Sequence, residues 1–265
     1  MTWLQIIVLA IVQGLTEFLP ISSSGHLVLV PAAFNWPDQG LAFDVAVHFG
    51  SLVAVCLFFR KDLVGLVRGG IEVLGAKVES NESRLALGIA LGTIPAAVAG
   101  LVLADWIAVN LRSPSVVVFT LSGYAVLMLL ADRFGRQTRN ISSTRVKDAV
   151  LIGCAQALSL IPGTSRSGVT ITVAMALGFE RKDAARFSFL LSVPVILLAA
   201  AYEFAVLMAD DVPVAWVQLG VGALVASVVA YLSIEFFMRV ISRIGLLPFA
   251  LYRLLLAGLI LYVLF

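Results

Sequence analysis

The chain has 265 residues, of which 61% are hydrophobic and only 13% charged, and its mean hydropathy is +1.05. A soluble domain is about half apolar and a quarter charged, so this composition excludes a water-soluble globular protein and points to a polytopic membrane protein with lipid against most faces. The formal net charge of +2 says little and no nucleic-acid partner is expected; the distribution of the charges is the informative part.

In chain order, the first apolar segment, about 3–34, is longer than the roughly 20 residues that cross a bilayer as one helix. Pro20 and the serines at 22–24 break it near its middle. No basic residue precedes it and Glu17 interrupts it, so it does not read as a signal peptide, and no lipidation signal is visible. Spans are predicted next at about 41–59, 85–104 and 115–131. A second overlong segment, 149–178, is broken by Pro162, Gly163 and Gly168, and further spans are predicted at 187–208, 216–234 and 249–265. Cys56 and Cys154 lie in apolar stretches without metal-ligand spacing and read as buried thiols.

Four loops, 60–84, 132–148, 180–186 and 235–247, carry fifteen of the 18 Lys and Arg residues, which assigns them to the cytoplasm. Loops 105–114 and 209–215, with Asp105, Arg112, Asp210 and Asp211, are assigned outside. Segment 149–178 then begins and ends on one side and reads as a re-entrant hairpin, as does 3–34 if the N-terminus is external. Each half is one hairpin followed by three spans, and because three is odd the second half is inverted. The expected fold is an all-α polytopic membrane protein, with six transmembrane helices plus two re-entrant helical hairpins in an inverted-topology repeat. It forms one integral membrane domain over 1–265, with repeats of about 1–131 and 149–265 and a cytoplasmic linker at 132–148. A weaker echo, LGIALGTIPAAVAGL from Leu87 and LGVGALVASVVAYL from Leu219, supplies small residues suited to close helix packing.

The two hairpins carry copies of one polar motif. QGLTEFLPISSSGH (Gln13–His26) and QALSLIPGTSRSGV (Gln156–Val169) align at a constant offset of 143 residues, which matches Gln13 with Gln156, Ser22 with Ser165, Ser24 with Ser167 and Gly25 with Gly168. The first copy contributes an acid, Glu17, and the second a base, Arg166. A charge at bilayer depth costs about 2.5–3.5 kcal/mol on insertion scales, so opposite charges at this depth suggest a shared site for a charged group.

PGTSRSG has the features of an anion cradle. Gly163 and Gly168 permit close backbone approach, amides near a helix start at Ser167 carry partial positive charge, and Ser165, Ser167 and Thr170 add hydroxyls. Arg166 offers a planar fork that matches phosphate. Ser22, Ser23, Ser24 and His26 add reactive groups, with His26 suited to act as base, acid or nucleophile. Glu17, one helical turn after Gln13, is suited to a hard cation or to proton relay. Asp44 and His48, also a turn apart, read as a structural pair, and Glu203 as an interfacial residue.

QGLTEFLPISSSGH and PGTSRSGVTI, with FDVAVHFGSLVAV and ARFSFLLSVP, closely resemble the bacterial undecaprenyl-diphosphate phosphatase family of the bacitracin-resistance type, over nearly the whole chain. The resemblance implies a multi-pass enzyme of the bacterial cytoplasmic membrane that removes the terminal phosphate of undecaprenyl diphosphate and recycles the lipid carrier of peptidoglycan synthesis. It implies dependence on a divalent cation, Mg²⁺ or Ca²⁺, and a site opening to the outer side. By position, the resemblance and the residue chemistry together give catalytic roles to Glu17, Ser23, His26 and Arg166. They give diphosphate contacts to Ser22, Ser24, Gly163, Thr164, Ser165, Ser167, Gly168 and Thr170, and the cation to Glu17 with Gln13, where the family accepts Glu or Gln. Ser23 or His26 is the nucleophile, and the sequence leaves that choice open. The expected partners are the polyprenyl diphosphate and membrane lipids, with a homodimer open.

The inverted repeat alone also fits a transporter or flippase for an anionic lipid or solute. The serine–histidine cluster argues against that alternative, because transport needs no nucleophile. An acid-phosphatase type of lipid phosphatase is discounted because no histidine follows PGTSRSG.

Overall fold

The computed structural model describes residues 1–111, 113–209 and 215–264, without the side chains of residues 105, 108, 263 and 264. Arg112, Asp210 and Asp211, assigned above to external loops, therefore lie outside the described residues, as does the Asp105 side chain. The described chain is all-helical, in the order α1 (Trp3–Thr16), α2 (Ser23–Ala33), α3 (Leu41–Phe58), α4 (Arg60–Leu74), α5 (Asn81–Asn110), α6 (Pro114–Phe134), α7 (Val146–Ala157), α8 (Arg166–Ala176), α9 (Arg181–Ala209), α10 (Trp216–Ile244) and α11 (Leu247–Leu264). Among the described residues, five helices are long and apolar enough to cross a membrane: α3, α5 over Asn81–Ala104, α6, α9 and α10. α11, expected as a sixth span, is apolar but falls short of that length over Leu247–Tyr262.

Both overlong segments are broken helix pairs. α1 starts at a capping box in which the Thr2 hydroxyl accepts from the Gln5 amide (3.3 Å) and the Gln5 side chain accepts from the Thr2 amide (2.8 Å). It ends before Pro20, and α2 starts after Ser22, whose φ is +76°. In the second copy α8 starts after Ser165, whose φ is +69°, following Gly163 at +85°. A left-handed serine costs on the order of 1–2 kcal/mol. The same strained conformation at matched positions therefore marks a shared local design rather than chance.

The loop predicted at 60–84 instead contains α4. Its charged residues dilute its hydropathy, but Leu63 and Leu66 pack against the core and Gly69 presses on the backbone at Glu82 and Ser83. The cysteines also differ from expectation: Cys56 is half-buried and Cys154 is exposed on α7. In a chain with an apolar exterior, an apolar neighbourhood in sequence does not imply burial. Leu101, Val102 and Leu255 are each at least 70% exposed, a surface that lipid rather than water suits.

Helices distant in sequence pack together. α10 lies against α1 and α3, and α5 lies against α7 and α9. The small residues of the two echoing stretches make these contacts. A Cβ on Gly14 of α1 would sit 2.7 Å from the Ala226 carbonyl, Gly50 of α3 touches Ala223, and Gly153 of α7 touches Gly92. Beneath the first hairpin runs an aromatic ladder, with centroids 5.3 Å apart for Phe18 and Phe189, 5.7 Å for Phe189 and Phe237, and 5.3 Å for Phe237 and Phe249. Phe18 is fully buried, which anchors its neighbour Glu17.

The four basic loops meet at one end of the molecule. Arg186 pairs with Asp62, Arg181 Nε donates to Asp132 Oδ1 (2.6 Å), and the Leu246 amide donates to Asp132 Oδ2 (3.1 Å). Arg139 pairs with Asp148 at 2.5 Å within the linker.

Candidate active site

The break between α1 and α2 places Glu17 one residue beyond the end of α1, and the break before α8 places Arg166 at that helix's first residue. The two side chains meet: Arg166 Nη2 donates to Glu17 Oε1 at 3.1 Å, and both side chains are nearly buried. The other carboxylate oxygen, Oε2, accepts from Ser23 Oγ (2.7 Å) and from Gln13 Nε2 (3.0 Å). One carboxylate thus receives the guanidinium of one hairpin and the serine hydroxyl of the other. Arg166 also lies 5.7 Å from the centre of the Phe18 ring. The two serine turns mirror each other, with Ser22 and Ser24 hydroxyls 3.4 Å apart and Ser165 and Ser167 hydroxyls 3.3 Å apart.

These groups open on a cavity of about 360 Å³, lined on its polar side by Glu17, Ser22, Ser23, Ser24, Ser165 and Arg166. Its apolar wall comes from α9, through Val195, Ile196, Ala199 and Ala200. A polar floor of opposite charges with a hydroxyl on the carboxylate, beside an apolar wall, suits an amphiphile with an anionic head.

The family model of the bacitracin resistance protein BacA matches residues 6–259. The chain belongs to this family. Among curated relatives, it is 50% identical to an undecaprenyl-diphosphatase 2 of Stutzerimonas stutzeri strain A1501, covering 100% of this chain and 99% of that one. It is 51% identical to an undecaprenyl-diphosphatase of Hahella chejuensis, over 99% and 98% of the two chains. It is 49% identical to an undecaprenyl-diphosphatase of Alcanivorax borkumensis, over 99% of each. As a BacA-family member with five apolar helices of spanning length, it is an integral membrane protein.

Within this BacA-family fold, the residues singled out from the sequence divide into two groups. Glu17, Ser22, Ser23, Ser24, Ser165 and Arg166 line the cavity. Gly163, Thr164, Ser167, Gly168 and Thr170 are buried and do not line it. Ser167 Oγ donates to the Leu19 carbonyl (3.0 Å), which stitches the second hairpin to the first, and the Thr170 hydroxyl meets Ser188 Oγ at 2.6 Å. Ser165 caps α8, its hydroxyl accepting from the Gly168 amide at 3.2 Å. His26 is also withdrawn. Its Nδ1 donates to the Ser22 carbonyl (2.7 Å), which leaves Nε2 to accept from the Tyr252 hydroxyl (2.6 Å).

The histidine that does line the cavity is His48. Its Nε2 lies 3.8 Å from Glu17 Oε2, and its Nδ1 donates to the Asp44 carbonyl at 2.7 Å. Asp44 and Glu203 line the same cavity. The sequence reads these three as structural or interfacial. The spacing of Asp44 and His48 identifies a shared helix face, but nothing in it says that α3 and α9 converge on the hairpins.

For a divalent cation, the described residues offer no group of three His, Cys, Asp or Glu at ligand geometry. A hard-oxygen pair is present, however. Gln13 is fully buried, its Oε1 has no hydrogen-bond partner among the described residues, and its amide nitrogen donates to Glu17. Mg²⁺ commonly takes one or two carboxylates and the remainder from phosphate and water; of this pair Glu17 lines the cavity and Gln13 does not.

Proposed function

We propose that the chain hydrolyses undecaprenyl diphosphate to undecaprenyl phosphate and inorganic phosphate in the cavity where Glu17 and Arg166 meet. The observation that carries this is the Glu17 carboxylate shared by Arg166 and Ser23 across the two hairpins. The family membership and the relatives named undecaprenyl-diphosphatase support the same activity.

Arg166 is steadied by Glu17 through Nη2, while its Nη1 is buried and has no partner among the described residues. Nη1 binds an oxygen of the terminal phosphate and stabilises charge on the transferring group. Ser23 Oγ attacks the terminal phosphorus and its proton passes to Glu17 Oε2 along the hydrogen bond already in place. The bond from phosphorus to the bridging oxygen breaks, and undecaprenyl phosphate leaves. Water then attacks the phosphoserine, and Glu17 returns the proton to the departing Ser23 Oγ. His26, with both nitrogens engaged, holds the turn at Ser22. A phosphorylated intermediate that is acid-stable and base-labile supports this route; an acid-labile, base-stable one moves the attack to His26.

Glu17 and Gln13, through Oε1, are the residues that would hold a divalent cation, Mg²⁺ or Ca²⁺. When bound, the cation supplies further positive charge against the diphosphate. The prenyl chain follows the apolar wall of α9. In the membrane, α11 serves as the sixth span, α1–α2 and α7–α8 are re-entrant hairpins, and 1–131 and 149–265 form an inverted repeat. The exchanged packing of α10 and α5 supports the repeat. The joined basic loops support a common cytoplasmic side, with the site opening outward from the bacterial cytoplasmic membrane. Such placement suits recycling of the peptidoglycan lipid carrier and resistance to bacitracin.

The test is phosphate release from undecaprenyl diphosphate by purified protein in detergent micelles, with and without chelator. Release that requires the cation supports the proposal, and no release with any divalent cation refutes it. Micelles have no compartments, so transport alone gives no signal.

A further inference from the structure

We infer that Arg253 of α11 is a positioning residue for the second hairpin: it fixes the carbonyl side of the turn before α8, so that Arg166 meets the diphosphate in one geometry. This rests on the hydrolytic function proposed above. Arg253 is fully buried. Its Nη2 donates to the Gly163 carbonyl (3.0 Å) and the Thr120 carbonyl (3.3 Å), and its Nε donates to the Leu121 carbonyl (3.2 Å). Among the described residues, no carboxylate lies within 4.0 Å of it. Its Nη1 is buried without a partner among the described residues, 3.4 Å from where a Cβ on Gly168 would lie.

A buried guanidinium without a counter-ion is costly, and an apolar side chain would pack α11 against α6 without that cost. The guanidinium does one thing an apolar residue does not: its rigid fork of donors bridges carbonyls on two separate elements, α6 and the hairpin turn. The turn is pressed against α6 at that point. Gly163 has φ +85°, and a Cβ there would strike Thr120 Oγ1. Thr120 Oγ1 in turn donates to the Pro162 carbonyl at 2.7 Å. The carbonyls of Pro162 and Gly163 are both held toward α6 and α11, and carbonyl dipoles aimed at an anion would repel it. The uncompensated charge of Arg253, set behind the turn, also favours an anion in front of it. The adjacent residue acts on the other hairpin, since Tyr252 holds His26. Consecutive residues of α11 thus brace both halves of the site.

The experiment uses full-length wild type, Arg253→Lys, Arg253→Met and Thr120→Val in detergent. It measures kcat and KM on undecaprenyl diphosphate, together with the thermal shift produced by inorganic pyrophosphate. Both Arg253 variants are expected to lower kcat by about 10- to 100-fold in protein that still elutes as folded, the scale of a misplaced catalytic group. The pyrophosphate shift of the wild type is lost in Arg253→Met and partly kept in Arg253→Lys, which retains the charge. Thr120→Val, nearly isosteric, lowers kcat several-fold with little change in melting temperature, and decides the matter if Arg253→Met does not fold. Arg253→Lys and Thr120→Val proteins with kcat and pyrophosphate shift within twofold of wild type overturn the inference, whatever their melting temperatures. If the wild type releases no phosphate, the hydrolytic function falls. A pyrophosphate shift present in wild type and missing in folded Arg253→Met then still supports the role of Arg253, and an unchanged shift refutes it.

Discussion

Replacing Arg166 with lysine keeps the charge and removes the fork. In the wild type Nη2 is committed to Glu17 at 3.1 Å, and Nη1 has no partner among the described residues. Lysine has one nitrogen to serve both carboxylate and substrate. The variant therefore loses one charge-assisted hydrogen bond, about 1.5–3 kcal/mol. At about 1.36 kcal/mol per decade, that predicts a fall of roughly 10- to 150-fold in kcat/KM. The fold survives, because Glu17 keeps a cation beside it. Arg166→Ala differs: it takes the guanidinium from a buried carboxylate that keeps only Ser23, Gln13 and the more distant His48 beside it, costs stability, at most about 3–5 kcal/mol, and lowers turnover by at least about two orders of magnitude. The assay is phosphate release by purified protein, paired with thermal unfolding to confirm that each variant is folded. A folded Arg166→Lys enzyme within threefold of wild type would show that the two nitrogens do not divide the work as described.

Other perturbations reach separate parts of the molecule. Gln13→Glu adds a second carboxylate next to Glu17, so the cation concentration giving half-maximal activity falls, whereas Gln13→Leu raises it; identical cation titrations would remove Gln13 from the site. Gly14→Ala puts a methyl 2.7 Å from the Ala226 carbonyl and costs about 1–3 kcal/mol. Its melting temperature drops by several degrees, and an unchanged value would contradict the close contact of α1 with α10. In the linker, burial raises the Asp148 pKa, but hydrogen bonds from Arg139 and from the Arg145 amide outweigh it and hold the carboxyl below its ordinary 3.8. That stabilisation is complete above the ordinary value and lost as pH falls through the lowered one. Asp148→Asn therefore lowers the melting temperature at neutral pH, and the gap to wild type closes only below about pH 4; a gap that is absent at neutral pH contradicts the pairing.

The two helix breaks were legible because their signals are local. Pro20 and Pro162 break long apolar runs, and the matched serines at 22 and 165 sit at the same strained turn. The convergence of Glu17 with Arg166 was legible for a second reason: two opposite charges in hydrophobic hairpins need a partner, and each is the other's. Residues whose role depends on helix-to-helix placement were not. His48 reaches Glu17 only because α3 packs beside the first hairpin, and Glu203 enters the cavity only through the course of α9. His26 looked reactive by composition, yet Ser22 and Tyr252 occupy both of its nitrogens, and Tyr252 lies 226 positions away. Helix α4 escaped notice because its charges mask a periodic apolar face.

The most direct measurement is a double-mutant cycle on steady-state phosphate release, comparing Glu17→Gln, Arg166→Lys and the double variant in folded protein. If the two side chains act as one unit on one diphosphate, the double variant loses little beyond the worse single variant. Losses that multiply independently, or a double variant as active as wild type, would place the hydrolysis of undecaprenyl diphosphate somewhere other than the junction of the two hairpins.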